Sequence, residues 1–170
     1  MSNSKAHRNP GGLNVLVPAS TKISDGYVRI GKNVTFGENV TIGDRTDLSE
    51  DAVIGDNVVL GEGTKIGKRS RIGNGSKLSN NVVITDDVVV MEKVVIETRV
   101  TLMDHVSVAS GCELDAGTTL RSGVVLEECV TIGQGTVVAS DVTVPAGWII
   151  GSGKHVNPGN AATGHLPHIH

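Results

Sequence analysis

The sequence predicts an all-β parallel solenoid, and three observations support this prediction. Every sixth residue from Ile30 to Ile150 is aliphatic, apart from the aromatic Phe36, so 21 hexads follow one another without insertion or deletion. A small or β-branched residue precedes each aliphatic one by two positions, from Val28 to Val142. Glycine, asparagine and aspartate are frequent between these pairs. A period of six does not fit the 3.6-residue turn of a helix, whereas short strands separated by turns produce it.

The hexads define the predicted elements in order. Residues i and i−2 of a strand point to the same side, so each pair places two side chains inward and one outward. The polar and glycine-rich residues that follow tolerate positive φ and turn the chain. We expect the solenoid at residues 25–151. Residues 1–24 form an N-terminal tail with a possible cap at 13–17, and residues 152–170 a Gly/Pro/His-rich C-terminal tail.

Composition limits the functional classes. The chain has 170 residues, a formal net charge of −3 and a pI near 6.0, with scattered charges, which argues against nucleic acid as a partner. No apolar run reaches the length of a membrane span, and residues 1–14 do not resemble a secretory signal. Two cysteines do not make a disulfide framework. We therefore expect a cytoplasmic protein without a membrane span.

The run "IGKNVTFGENVTIGDRT" at residues 30–46 resembles the hexapeptide-repeat family, in particular its acyltransferase-like repeats. The resemblance covers residues 28 to about 151. It implies a single-stranded left-handed parallel β-helix with three hexads per coil, so that 21 hexads give about seven coils. It also implies a homotrimer, because proteins of this family are commonly trimers packed side by side.

Self-association is also indicated by the outward positions, which are mostly polar in the N-terminal half. In the fourth and fifth coils they become apolar, at Val83, Val89, Met91, Val95 and Met103. An apolar patch on an otherwise polar surface usually marks a contact, and we expect a second copy of the chain there. The alternative is a set of surface residues without a partner.

Stacked coils place residues 18 apart above one another. One corner then reads Glu50-Asp51, Lys68-Arg69, Asp86-Asp87, Asp104-His105, with the sign of the charge alternating from coil to coil. We interpret this column as a solvated edge that fixes the register of the coils rather than as a binding site. Each exposed ion pair there contributes only about 0–1 kcal/mol.

The family resemblance implies acyl transfer from acetyl- or acyl-CoA, with a corner histidine as general base, a role that suits imidazole near neutral pH. Many members carry this histidine in a run resembling Asp-His-Asp-Cys. This sequence has Met103-Asp104-His105-Val106, shifted by one position. His105, the one histidine among the hexads, is the candidate base, and Asp104 is the candidate for orienting it. The alternative is an ordinary corner residue.

Several departures from the family pattern argue against catalysis. No hexad is interrupted by the long loop that such acyltransferases often carry. The stretch 141–151 resembles the start of their usual C-terminal run, but the expected Gly-Asn-Pro-Ala is replaced by residues 151–155. The carbonic-anhydrase branch needs three histidines per zinc, which one histidine in the hexads does not supply.

The C-terminal tail contains a candidate metal site. His165, His168 and His170 lie close in sequence, and alternate residues of an extended segment share a face. Three copies in a trimer would converge on a transition metal such as iron, nickel or zinc. The alternative is a polar terminus without a ligand.

Two functional hypotheses follow. The first, which the absent loop and the shifted histidine run favour, is a self-assembling structural β-solenoid, a scaffold or filament subunit without catalysis or cofactor. A whole number of coils would place both ends on the same face, so that copies stack in register. The alternative is an acyl-CoA-dependent homotrimeric acyltransferase with His105 as general base.

Overall fold

The computed structural model describes residues 14–161 and shows a parallel β-solenoid. Its 23 strands each contain two residues, and every strand pairs in parallel with the strand three further along the chain. Three flat sheets result, and successive coils are 18 residues apart, as in the pairing of Lys65 with Val83. Seven complete coils and two further strands make about eight turns, which confirms the predicted fold class.

The strands are distributed over three sheets. The first sheet contains β1 (Lys22–Ile23), β4 (Thr41–Ile42), β7 (Val59–Leu60), β10 (Lys77–Leu78), β13 (Val95–Ile96), β16 (Glu113–Leu114), β19 (Thr131–Ile132) and β22 (Ile149–Ile150). The second contains β2 (Arg29–Ile30), β5 (Asp47–Leu48), β8 (Lys65–Ile66), β11 (Val83–Ile84), β14 (Thr101–Leu102), β17 (Thr119–Leu120), β20 (Val137–Val138) and β23 (His155–Val156). The third contains β3 (Thr35–Phe36), β6 (Val53–Ile54), β9 (Arg71–Ile72), β12 (Val89–Val90), β15 (Ser107–Val108), β18 (Val125–Leu126) and β21 (Thr143–Val144). A short helix, α1 (Pro158–Ala161), follows β23.

Each hexad has six positions with distinct roles. In the hexad 66–71 they are, in order, the aliphatic, flank, first-corner, second-corner, small and outward positions. Coil 1 starts at β1, coil 2 at β4, and so on to coil 8 at β22. The aliphatic and small positions form one continuous core, in which Leu102 and Val106 are at most 1% exposed. Burial of each large aliphatic side chain stabilises the fold by about 1.5–3 kcal/mol.

Polar residues at the small position are buried and hydrogen-bonded. The Ser70 hydroxyl donates to the Thr85 carbonyl at 2.8 Å and accepts from the Val88 N–H at 3.1 Å. These bonds link adjacent coils inside the core, where an unpaired hydroxyl would destabilise the fold.

The second-corner position has a left-handed backbone in all 21 hexads, with φ between 54° and 73°. Glycine, asparagine and aspartate adopt this conformation readily, whereas other residues incur roughly 1 kcal/mol each. Six positions hold such other residues: Arg45, Arg69, Lys93, Arg99, His105 and Cys129.

Side chains at the first-corner position connect coils 1 to 5. Each accepts a hydrogen bond from the backbone N–H of the first-corner residue one coil earlier, at 2.8–3.1 Å. We call this set the first-corner ladder. Its acceptors are Asp56, Asn74, Asn80, Asp86 and Asp104.

The two ends of the solenoid extend beyond the sequence-based limits. Strand β1 pairs 19 residues ahead, Lys22 with Thr41, so coil 1 contains one extra residue. Before it, Leu16 forms an isolated bridge to Thr35, and Val15 packs against the core. Because β1 begins the first sheet and β23 ends the second, the strands within residues 14–161 do not make a whole number of coils. The expectation that both ends finish on the same face is therefore wrong.

Candidate functional site

The candidate site lies at the corner that joins the second sheet to the third, between β14 and β15. His105 occupies the second-corner position there, with φ 61° and an exposed side chain. Its backbone N–H donates to the Asp86 carbonyl at 3.2 Å, which fixes this corner above that of the preceding coil. We call the stack of these corners the His105 corner. The imidazole is presented to solvent on a convex edge of the prism.

A column of polar side chains occupies the second-corner positions below His105. In the first two coils the Asn33 amide donates to Asp51 at 2.9 Å. In the next two, the Arg69 guanidinium donates two parallel hydrogen bonds to the two carboxylate oxygens of Asp87, each at 2.7 Å. Such bidentate pairs are directional as well as strong. The pair therefore holds the Asp87 carboxylate in one orientation below His105.

The Asp87 carboxyl has a pKa lowered from its usual value. The largest cause is the hydrogen bond from Arg69; the charges of Arg69 and His105 add to the effect, and desolvation opposes it. Arg69 in turn has a raised pKa because of the same hydrogen bond. Asp87 is thus an ionised carboxylate at neutral pH, within electrostatic reach of His105.

Asp104 is directed to the preceding coil. Its carboxylate accepts a hydrogen bond from the Asp86 N–H at 3.1 Å. The pKa of Asp104 is lowered, mainly by the neighbouring Thr85 hydroxyl and then by the Asp86 N–H. The charge of His105 contributes less. These contacts make Asp104 the last member of the first-corner ladder, whereas the role of orienting His105 stays a prediction.

The predicted apolar belt surrounds coils 4 and 5 on all three faces. Val83 and Met103 lie on the second sheet, Val89 and Met91 on the third, and Val95 on the first. Met91 and Met103 are 49% and 38% exposed. Four of the five residues therefore lie on the two sheets that meet at the His105 corner, while Val95 is on the sheet opposite that corner.

The predicted metal ligands His165, His168 and His170 lie outside the described residues. Within residues 14–161, no group of three or more histidine, cysteine, aspartate or glutamate side chains is arranged to hold a metal ion. No helix in that part of the chain is long and apolar enough to cross a membrane.

The two cysteines differ in environment. Cys112 is buried at a small position, and burial raises the pKa of its thiol. Cys129 is exposed at a second corner.

Sequence reasoning placed Arg69 and Asp87 in the charged column but assigned them only to register. The signal was available in the 18-residue spacing, because Arg69, Asp87 and His105 occupy the same hexad position in successive coils. The spacing alone does not give the direction of the side chains, which also depends on the left-handed backbone at these corners.

The sequence matches a family model described as bacterial transferase hexapeptide (six repeats) over residues 51–86. No curated protein matches the chain.

Several solved structures share the fold. The UDP-N-acetylglucosamine acyltransferase of Francisella novicida is 22% identical, with a TM-score of 0.59 over 82% of this chain and 65% of that one. The UDP-N-acetylglucosamine O-acyltransferase of Moraxella catarrhalis is 20% identical, with a TM-score of 0.63 over 84% of this chain and 65% of that one. The acetyltransferase domain of PglB from Neisseria gonorrhoeae, in complex with acetyl coenzyme A, is 15% identical, with a TM-score of 0.53 over 61% of this chain and 53% of that one.

The family model matches part of the repeated region, and the fold of the chain matches the left-handed parallel β-helix. The chain spans about 65% of the length of the two UDP-N-acetylglucosamine acyltransferases.

Proposed function

We propose that the protein transfers an acyl group from an acyl-CoA to a hydroxyl or amine acceptor, with His105 as general base. The observation that carries the proposal is the position of His105. Its imidazole is exposed at a corner that lies one coil above the corner of the ionised Asp87, at the level where the outward surface becomes apolar. A histidine at a left-handed corner incurs a backbone cost that an asparagine would avoid, and such costs are often associated with function.

The reaction follows from the chemistry of imidazole. An unprotonated ring nitrogen of His105 accepts the proton of the acceptor O–H or N–H as the acceptor oxygen or nitrogen attacks the thioester carbonyl carbon. The C–S bond then breaks, and the departing thiolate takes the proton back from the imidazolium. General acid–base assistance of this kind accelerates a reaction by about 10²–10⁴-fold.

The surface beside His105 supports a thioester carrier as donor. Val89, Met91 and Val125 lie on the third sheet next to this corner and are partly or largely exposed. Together they offer an apolar strip to the aliphatic part of a carrier or acyl chain, whereas the core aliphatics point inward.

A second copy of the chain completes the proposed site. His105 is on a convex edge, whereas substrate sites are concave and bury most of their ligand. Packing another subunit against the two sheets that meet at this corner would form a cleft and cover Met91 and Met103. A homotrimer satisfies this requirement for all three copies at once.

The competing proposal is the self-assembling scaffold. The specific observation in its favour is the apolar belt, which extends around all three faces and also includes Val95, away from His105. The structure does not support stacking of copies end to end in register. Coil 1 contains an extra residue, and the strands within residues 14–161 do not complete the eighth coil.

The test measures acyl-CoA binding and turnover on the full chain. We expect acetyl-CoA or a longer acyl-CoA to bind by calorimetry and free thiol to be released when sugars, amino sugars or amino acids are added. His105→Gln should lower kcat by about 10²–10⁴-fold, and His155→Gln on β23 is the matched control. Absence of acyl-CoA binding, together with concentration-dependent rods in negative-stain micrographs, would contradict the proposal and support the scaffold.

A further inference from the structure

We propose that Asp87, held by Arg69, is the positioning residue that orients the His105 imidazole. The inference rests on the proposed acyl transfer for its function, but the contact it describes can be tested without turnover. The column Arg69–Asp87–His105 would then act as one unit across coils 3, 4 and 5.

The stacking of corners brings Asp87 below His105. Both residues have a left-handed backbone, with φ of 58° and 61°, so their Cα–Cβ bonds leave the stacked corners in similar directions. Adjacent coils are about 4.8 Å apart. The hydrogen bond from the His105 N–H to the Asp86 carbonyl, at 3.2 Å, anchors one corner directly on the other.

Arg69 leaves the Asp87 carboxylate able to accept a further hydrogen bond. A carboxylate has about four acceptor sites on its two oxygens. The guanidinium of Arg69 takes one site on each oxygen, at 2.7 Å. The remaining sites are available to a ring N–H of His105, and the fixed orientation of the carboxylate removes much of the freedom that would weaken such a contact.

The neighbouring carboxylates are bound to backbone groups. Asp86 accepts the Lys68 N–H at 2.8 Å, and Asp104 accepts the Asp86 N–H at 3.1 Å. Both are directed to the preceding coil by these bonds. Asp87 is instead bound to the side chain of Arg69, which lies in the same column as His105.

The proposed contact has a defined chemical effect. A hydrogen bond from one ring nitrogen to a carboxylate fixes the tautomer, so the other nitrogen is unprotonated and able to receive the acceptor's proton. The negative charge of Asp87 also stabilises the imidazolium formed during the reaction. Arg69 keeps Asp87 ionised and aimed, so Asp87 acts through His105 without contacting the substrate.

The first test is spectroscopic. Long-range ¹H–¹⁵N spectra of the full chain, labelled with ¹⁵N-histidine and recorded in alkaline buffer, report the tautomer of each imidazole, and His105→Gln identifies the His105 signals. We expect one dominant tautomer for His105 in the unchanged protein and a mixture of both in Asp87→Asn. Asparagine occupies the same second-corner position at Asn57 and Asn81, so this variant retains the corner geometry.

Asp86→Asn is the matched control, because it removes the same charge from the same corner and asparagine already occupies first-corner positions at Asn74 and Asn80. It should leave the His105 tautomer unchanged. The inference is overturned if Asp87→Asn leaves the tautomer as it was, or if Asp104→Asn randomises it instead.

The second test is kinetic and separates this inference from the proposed function. We expect Asp87→Asn to lower kcat about ten- to hundredfold, within the range of acid–base catalysis, and to change KM less than about twofold. If Asp87→Asn alters the tautomer but no acyl transfer is found with the unchanged protein, the proposed function fails while the contact stands. If His105→Gln abolishes transfer while Asp87→Asn changes neither kcat nor the spectrum, the inference fails while the function stands.

Discussion

Coils 1–3 and coils 4–8 share one backbone geometry but differ in how their corners are built. Seven of the eight flank positions from 31 to 73 hold glycine, whereas only two of the thirteen from 79 to 151 do. The first-corner ladder extends further, into coil 5, where it ends at Asp104, and the first corners that follow are occupied mainly by serine and alanine.

The first-corner ladder depends on the flank glycines. The side chain of a first-corner residue reaches across the flank glycine of the coil below to the next backbone N–H. A Cβ at Gly61 would lie 2.6 Å from the Asn80 Oδ1, which accepts the Glu62 N–H. A flank residue larger than glycine and a short ladder bond are therefore in conflict. Where Thr85 replaces glycine, the bond to Asp104 is longest, at 3.1 Å.

The difference between the two regions shows which positions of this solenoid tolerate different side chains. In coils 1–3, close corner contacts fix the stacking, and buried hydroxyls at Thr46, Thr64, Ser70 and Ser76 take part in the core. In the later coils, valine fills most small positions, so apolar packing in the core contributes more to the stacking of the coils than it does in coils 1–3. Flank positions without glycine can then carry other residues, and Met91 and Met103 both lie in that part.

The largest expected effect is at a flank glycine of the first region. Gly61→Ala would place a methyl group 2.6 Å from the Ser79 carbonyl carbon and from the Asn80 amide oxygen, so backbone of the next coil must move. We expect the free energy of unfolding to fall by about 3 kcal/mol. Urea denaturation followed by circular dichroism measures it.

Gly151→Ala in coil 8 is the control for this prediction. Its Cβ would meet only the end of the Lys154 side chain, at 3.7 Å, so the change should stay within about 0.5 kcal/mol. Equal destabilisation by both substitutions would show that the two regions tolerate flank side chains alike.

The sequence was sufficient to predict the repeated part of the fold. The inward pairs recur every six residues from Ile30 to Ile150, and burial of such pairs requires one register. The two terminal strands depart from this pattern. Strand β1 (Lys22–Ile23) is out of phase by one residue. Strand β23 (His155–Val156) keeps the six-residue spacing and buries Val156, but the charged Lys154 at its small position interrupts the pattern of inward pairs.

The candidate site was predictable only in part. His105 stands out because it is the one histidine in the hexads, and Asp104 is its neighbour in sequence. Which carboxylate contacts the imidazole depends on side-chain direction at a left-handed corner, which the sequence does not contain. In the structure Asp104 accepts the Asp86 N–H, and Asp87 occupies the same hexad position as His105 one coil earlier.

A smaller effect is expected in the ladder itself. Asn74→Ala removes the acceptor of the Asp56 N–H, now bonded at 2.8 Å, and exposes that group to water. We expect a loss of about 1 kcal/mol in the free energy of unfolding, the usual net contribution of one hydrogen bond. Ser122→Ala, at a first corner of coil 6 beyond the ladder, should change it by less than about 0.5 kcal/mol. A larger loss from Ser122→Ala than from Asn74→Ala would contradict the proposed difference between the regions.

The smallest effect is expected at the second corners. Both regions have a left-handed backbone there, but they differ in the side-chain hydrogen bonds that offset its energetic cost. Cys129 in coil 6 has φ 57°, which disfavours cysteine relative to asparagine. Cys129→Asn should therefore raise the free energy of unfolding by about 0.5 kcal/mol, a shift that replicate denaturation curves resolve.

Arg69→Asn relieves the same backbone cost in coil 3 but removes both hydrogen bonds to Asp87. Because that loss offsets the gain, we expect no net stabilisation from Arg69→Asn. If Arg69→Asn stabilises the fold as much as Cys129→Asn does, the Arg69–Asp87 pair contributes nothing to the stability of the fold. The presence of this pair at the corner would then be explained by its effect on His105 alone.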